Sequence, residues 1–316
     1  VEGIVSLLTT DDDKIIALGG EGSEPERLFI IENVDGTLQV TRTITLVHSF
    51  TSRLLGITPN GEVIIQDGDL KSLDLSEPES ALETIVTTDD RTFTSAASFI
   101  GPDEDGDGQG DVNVLAVGQT PSSQDDDFLY HIRQEGNEYV IVTQYMLPAD
   151  VYSNVMRLNL SNSKLVLSNA VLAKAVPFDK NNLQNLGSLL ANPEALMDFD
   201  PENFSSIQFA GHSDSLQNSV VAQEDGRFTF IPNTDEARDV VNVPGGIDQV
   251  IPLGDGTFAA INWEGLTFVN GVTKEEVTGQ VSFEGGTPST LALVPSSAEV
   301  DALTSIPPVN NMHIQA

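Results

Sequence analysis

The sequence has no cysteine and few bases. Zero cysteine excludes disulfides, thiolate metal sites, iron–sulfur clusters and cysteine nucleophiles. It fits an exported prokaryotic protein better than a secreted metazoan one, which at this size usually carries disulfides. Aromatic residues make up only 6% of the chain, with a single tryptophan, Trp263, so a core must rest on Val, Ile, Leu, Ala and Phe. No run approaches eighteen apolar residues, and no helical membrane span is expected. The first residue is Val1 and the opening VEGIVSLL has no basic stretch, so a processed or trimmed chain is expected.

What is abundant is negative charge. Lys and Arg together number 14 against 48 Asp and Glu, a formal net charge of −34 over 316 residues. Such a chain repels nucleic acid and anionic lipid, and neither is an expected partner. It suits cations, basic partners or a saline medium. Apolar residues still make up 39%, and mean hydropathy is −0.07. That is a composition able to bury a core rather than a disordered one. The expected location is extracellular or cell-surface, with the periplasm as an alternative.

Strand signals dominate. Short β-branched runs are separated by Asp35-Gly36, Asn60-Gly61, Gly136-Asn137, Asp225-Gly226, Asp255-Gly256 and Asn270-Gly271. Such pairs supply the positive φ that tight hairpin turns demand. A strand–turn–strand unit recurs from Ile4, Arg53, Ser98, Val155, Ser206, Gln249 and Thr290. The second strands begin near Lys14, Glu62, Val112, Lys164, Ser219, Thr257 and Glu299. The period is about 45–50 residues, the size of a four-stranded propeller blade. Third strands are read at 27–34, 128–134, 227–233 and 265–271, and weaker fourth strands at 38–44 and 139–145.

The expected fold is therefore all-β. It is a seven-bladed β-propeller forming one domain over residues 1–316, with six or eight blades as the other counts, because the fourth unit is irregular. Residues 1–8 are expected to close the last blade, which removes an exposed sheet edge. Residues 180–200 break the strand rhythm. Leu183, Leu186, Leu189, Leu190, Leu196 and Met197 stand at helical spacing around Asn192-Pro193. This predicts a short helical insertion on one face of the ring.

The strongest local motif is Asp103-Glu104-Asp105-Gly106-Asp107-Gly108-Gln109-Gly110-Asp111. Calcium takes six to eight oxygen ligands. Alternate aspartates in a tight loop turn Asp103, Asp105 and Asp107 inward. Gly108 permits the bend, Gln109 offers its carbonyl, and Asp111 ligates directly or through water. Carboxylates crowded in this way repel one another without a cation. A strand, not a helix, follows, so the loop is not an EF-hand. Phe99-Ile100-Gly101 before the loop and Asp111-Val112-Asn113-Val114-Leu115-Ala116-Val117-Gly118 after it resemble the FG-GAP blade of integrin-α-like propellers. The resemblance covers residues 98–118, one blade only. It implies a calcium ion in the hairpin between the first and second strands of a blade. Asp103, Asp105, Asp107 and Asp111 would be side-chain ligands and Gln109 the carbonyl ligand. Asp198-x-Asp200-x-x-Asn203 is a looser second candidate, and Asp125-Asp126-Asp127 reads as a solvated loop.

Catalytic motifs are absent: there is no G-x-S-x-G elbow, Walker loop or dinucleotide fingerprint, and none of the four histidines has metal-ligand spacing with another. The leading expectation is a non-enzymatic, calcium-stabilised propeller for surface adhesion or assembly, with protein or glycan partners, self-association included. One alternative is a metal-dependent propeller hydrolase or lactonase using His212, Asp214 and Asp248 at the channel mouth. Another is a polymerising subunit of a surface filament or layer, joined through residues 180–200 or the Pro307-Pro308 tail.

Overall fold

The computed structural model describes residues 4–10, 14–19, 26–35, 37–46, 52–77, 81–87, 91–103, 109–120, 126–136, 138–152, 154–197, 205–234, 237–253, 256–262 and 265–281. They form six four-stranded antiparallel sheets arranged as a β-propeller. Blade 1 is β1 (Ile4–Thr9), β2 (Ile15–Gly19), β3 (Arg27–Val34) and β4 (Thr37–Thr45). Blade 2 is β5 (Arg53–Ile57), β6 (Val63–Asp67), β7 (Asp69–Leu73) and β8 (Glu83–Val86). Blade 3 is β9 (Thr92–Ile100), β10 (Val112–Gln119), β11 (Asp127–Glu135) and β12 (Glu138–Leu147). Blade 4 is β13 (Arg157–Leu160), β14 (Lys164–Ser168), β15 (Ala173–Pro177) and β16 (Glu194–Met197). Blade 5 is β17 (Ile207–Ser213), β18 (Asn218–Gln223), β19 (Arg227–Pro232) and β20 (Asp239–Asn242). Blade 6 is β21 (Gln249–Pro252), β22 (Thr257–Asn262), β23 (Gly265–Asn270) and β24 (Glu275–Val281). The first strands of consecutive blades, β1 through β21, neighbour one another in order.

The propeller is thus as expected, with six blades, one of the counts the strand rhythm admitted. The seventh unit, from Thr290, lies outside the described residues. The expected closure of the last blade by residues 1–8 meets a different pairing. β1 bonds to β2 of its own blade, with Leu7 opposite Ala17 and Leu8 opposite Ile16. Blade 6 has four strands of its own. The short connection explains this: the Thr10 N–H donates to the Lys14 carbonyl at 3.0 Å and returns the chain directly onto β1.

Each second strand is buried along nearly its whole length, β2, β6 and β22 at every position. A strand covered on both faces reads as a continuous apolar run rather than an alternation, and that is why these strands were the clearest in the sequence. Their alternate residues feed different cores. On β10, Leu115 and Val117 pack with Leu165, Leu167 and Phe178 of blade 4. Val114 and Ala116 face Ile64 and Leu70 of blade 2. On β18, Val220 and Ala222 join Phe258 and Val269 of blade 6, while Val221 joins Val166 and Ala175 of blade 4. One residue of register slip in such a strand would exchange both sets at once.

The segment 180–200 is helical over less of its length than expected. A 3-10 turn, Leu183–Asn185, runs into a five-residue helix, α1 (Leu186–Leu190). Leu196 and Met197 belong to β16, the fourth strand of blade 4. Leu186 and Leu190 are buried against blade 3, and Tyr145 of β12 donates its hydroxyl to the Leu183 carbonyl at 3.0 Å. The helix lies between β15 and β16 of blade 4 and packs against β12 of blade 3. Among the described residues, no helix is long and apolar enough to cross a membrane.

Polar side chains also join neighbouring blades. Near the β5–β6 turn, Glu62 accepts from the Tyr139 hydroxyl at 2.5 Å and from Gln134 Nε2 at 3.1 Å, both of blade 3. Asn60 Nδ2 donates to Gln134 Oε1 at 3.0 Å. Burial, reinforced by the Glu62 carboxylate, raises the Tyr139 pKa far above that of a free phenol, so the hydroxyl remains a donor. A charged acceptor makes this one of the stronger hydrogen-bond types. Replacing Tyr139 with Phe is expected to cost about 1.5–3 kcal/mol in urea unfolding. In a Glu62→Gln background the same change should cost roughly half as much. Equal losses in the two backgrounds would mean that the pair is not coupled.

Candidate functional site

Among the described residues, polar side chains come together around a cavity of blade 3 and around another at the ends of three first strands. The first lies on blade 3 at the base of the β9–β10 hairpin. The Gly101 N–H donates to the Asp111 carbonyl at 2.9 Å, and the Asp111 N–H to the Pro102 carbonyl at 3.3 Å. Gly110 is needed at this crossing, because a Cβ there would stand 2.5 Å from the Gly101 carbonyl oxygen. The Asn113 amide also donates to the Asp111 carbonyl, at 2.9 Å. Its Oδ1 meets Nε2 of the buried His131 at 2.7 Å.

Of the expected calcium ligands, Asp103, Gln109 and Asp111 are described, and Asp105 and Asp107 lie outside the described residues. Asp103 and Gln109 are exposed at the two sides of the hairpin. Asp111 is largely buried, with its carboxylate 3.9 Å from Nε of Arg133. Arg133 also meets Glu135 at 2.5 Å. Asp111, Asn113, His131 and Arg133 form one wall of a cleft of about 470 Å³. Thr143 and Tyr145 of the adjoining strand β12 and residues 180–184 line the rest of it. Reading the sequence identified the hairpin but missed the cleft. Its only local signal is that His131 and Arg133 share one face of β11.

The second place is at the C-terminal ends of β13, β17 and β21, the first strands of blades 4, 5 and 6. A cavity of about 330 Å³ is lined there by Leu160, Phe209, Val220 and Phe258 on its apolar side and by Asn162, His212 and Asp214 on its polar side. The His212 side chain is fully buried and its Nε2 stands 3.7 Å from Asp214 Oδ1. Its Nδ1 meets the Ser219 hydroxyl at 3.2 Å. Burial, and then the Lys164 ammonium, lower the His212 pKa, so the ring is neutral near pH 7. Burial alone would raise the Asp214 carboxyl. Hydrogen bonds from Ser163 and the Asn162 N–H, with His212 alongside, bring it below the ordinary carboxylate range.

His212 and Asp214 are thus brought together, and Asp248 is not among the residues lining their cavity. Asp248 is exposed just before β21, and the cavity meets that strand at its other end, at Pro252. Ser219, His212 and Asp214 form a serine–histidine–aspartate row, but the serine is 1% exposed. A nucleophile must reach its substrate, and this hydroxyl does not. Among the described residues, no group of three or more His, Asp or Glu side chains converges as a metal cage would require. The looser candidate at 198–203 lies outside the described residues.

One acidic run has a different role from the solvated loop expected. Asp127 is 3% exposed and accepts from the Thr120 N–H at 3.2 Å and the Val155 N–H at 3.1 Å. Asp126 accepts from the Ala149 N–H at 2.8 Å. Burial raises the Asp127 pKa against the opposing pull of its two hydrogen bonds. The pair organises the connection from blade 3 to blade 4. Asp125 lies outside the described residues.

The described residues form a β-propeller of six blades. No protein-family model matches the sequence, and no curated protein matches it.

Proposed function

We propose that this protein is a calcium-stabilised, non-enzymatic binding propeller that works outside the cell or at its surface. The observation that carries the reading is the position of Asp111. It closes the aspartate-rich hairpin and also stands in the wall of the 470 Å³ cleft. A cation held by Asp103, Asp105, Asp107, the Gln109 carbonyl and Asp111 would fix that wall, in keeping with the hairpin's likeness to an FG-GAP blade. The cleft offers the amides of Asn113, Asn181, Asn182 and Gln184 together with Arg133 and Lys180. Amides present donors and acceptors side by side, which suits a hydroxyl-rich glycan or a polar protein segment. The loop's carboxylates suit calcium, a hard cation that takes oxygen ligands.

The test is equilibrium binding of the intact chain to a glycan panel and to cell-surface protein fractions, with calcium and with chelator. Retention is expected only with calcium, and an Arg133→Ala/Lys180→Ala variant should lose at least about tenfold in affinity. The reading fails if that variant binds as well as the parent, or if generic ester, lactone or phosphoester substrates are turned over.

A further inference from the structure

We propose that the facing sides of blade 6 and blade 1 form a docking surface whose occupant is residues 282–316 of the same chain, which fill the join between those blades as a seventh blade. The inference is independent of the calcium hairpin. It starts from how the described blades share their cores. Alternate residues of a second strand pack into the neighbouring blade. Ile16 and Leu18 of β2 join Val63 and Ile65 of blade 2, and Phe258 and Ala260 of β22 join Val220 and Ala222 of blade 5. Five such shared cores tie blade 1 through to blade 6.

A ring of six blades closed on itself needs one more shared core, between blade 6 and blade 1. Among the described residues there are two separate clusters instead. On β2, Ile15 and Ala17 point to the face opposite Ile16 and Leu18. They gather only Leu7, Phe29, Ile31 and Leu38, all of blade 1. On β22, Ala259 and Ile261 point to the face opposite Phe258 and Ala260. They gather only Ile251, Leu253, Leu266, Phe268 and Val277, all of blade 6. Ala17, Ile261 and Leu266 are nonetheless no more than 1% exposed. On one face of a sheet, such burial requires a layer packed across it. Left open, the two faces would be apolar patches of the kind that drive association.

Residues 282–316 suit that layer in length, pattern and place. The sequence runs on for 35 residues past Val281, and blades 2, 5 and 6 span 34, 36 and 33 residues from first strand to last. The recurring strand–turn–strand unit appears there once more, from Thr290, after Gly285-Gly286 and before Pro307-Pro308. Leu291-Ala292-Leu293-Val294 is an unbroken apolar run, the pattern of a strand covered on both faces. Glu284, Glu299 and Asp301 are the only charged side chains of the segment, in a chain that is 20% charged. That is not the composition of a solvated tail. The segment also follows β24 directly, and each described blade is followed in sequence by the blade beside it.

The test is nuclear Overhauser spectroscopy of the intact chain, labelled at its Ile, Leu, Val and Ala methyls, with the mass measured by light scattering. The expected result is a monomer in which methyls of 291–294 contact Ile15 or Ala17 of β2 and also Ala259 or Ile261 of β22. Amide exchange over 290–303 should be slowed at least about 100-fold relative to an unstructured peptide. An Ile261→Asp variant should lose that protection while β6, β10 and β14 keep theirs. Direct contacts between Ile15 and Ile261 would overturn the proposal, since blades 1 and 6 would then meet with nothing between them. Free exchange over 290–303 would overturn it equally. So would contacts that prove intermolecular in a mixed-label sample, which would make a second copy the occupant. The parent spectra decide the question even if the variant does not fold.

Discussion

Exhaustive chelation is expected to lower the melting temperature by about 5–10 °C and to open residues 103–111 to proteolysis. The magnitude comes from linkage. A ligand bound only by the native state at 100 times its dissociation constant contributes about 2.7 kcal/mol. In a chain of this size each kcal/mol shifts the midpoint by about 2–4 °C. The sign comes from charge: five acids lie within nine residues, and removing the cation leaves their repulsion unopposed. An Asp105→Asn/Asp107→Asn double variant should reproduce the loss of calcium dependence. It should also melt above the chelated parent, because it removes repulsion together with affinity. Differential scanning calorimetry with limited proteolysis reads both effects. If chelator changes neither the midpoint nor the protease resistance of the hairpin, calcium has no structural role here.

Much of the fold could be read because in a propeller the buried strands recur at blade spacing. Predicted second-strand starts near Lys14, Glu62, Val112, Lys164 and Thr257 fall within a residue of the observed β2, β6, β10, β14 and β22. The reason is physical: these strands are covered on both sides by neighbouring blades, so their apolar runs are unbroken. Turn chemistry supplied the remaining regularity, since Asn60-Gly61, Asp225-Gly226 and Asp255-Gly256 all fall between paired strands. Where the reading erred, local pattern was ambiguous. Leu196 and Met197 continue a helical spacing in sequence, yet lie in β16 after Pro193 ends the turn.

The sites were legible only where the chemistry is local. The aspartate loop is contiguous, and His212 and Asp214 are two residues apart at a strand end. Asp248 looked equivalent to them, but it precedes its strand whereas they follow or end theirs, which assigns it elsewhere. The cleft draws on residues from Pro102 to Gln184 contributed by blade 3 and by the β15–β16 connection of blade 4. No pattern within any one segment announces such an assembly. The same holds for Asp127, whose partners Thr120 and Val155 flank it at long and unequal distances in sequence.

Gly226→Ala is expected to destabilise the protein about twice as much as Gly61→Ala, although both glycines have a similar φ. Gly61 has φ +88° and Gly226 has φ +95°, so each alanine incurs the left-handed penalty of about 1–2 kcal/mol. The difference lies in the space around them. A Cβ on Gly61 meets nothing within 4 Å, whereas one on Gly226 stands 2.2 Å from the Val243 carbonyl oxygen. That oxygen belongs to backbone and cannot rotate away. The Val243 N–H donates to the Gly226 carbonyl at 2.8 Å, and the Ile247 N–H to the Glu224 carbonyl at 2.9 Å. Moving the strand to relieve the clash would therefore break the bonds that dock it. It would also displace Val243 and Ile247 from the core they share with Phe228 and Phe258. Overpacking of this kind adds about 1–3 kcal/mol. The expected total for Gly226→Ala is about 2–5 kcal/mol, a fall in midpoint of roughly 10 °C, against about 2–8 °C for Gly61→Ala. Thermal unfolding of the two variants side by side makes the comparison. Equal shifts would mean that the blade 5 turn yields to the added methyl, and that the 243–247 return is not the rigid support inferred from its bonds.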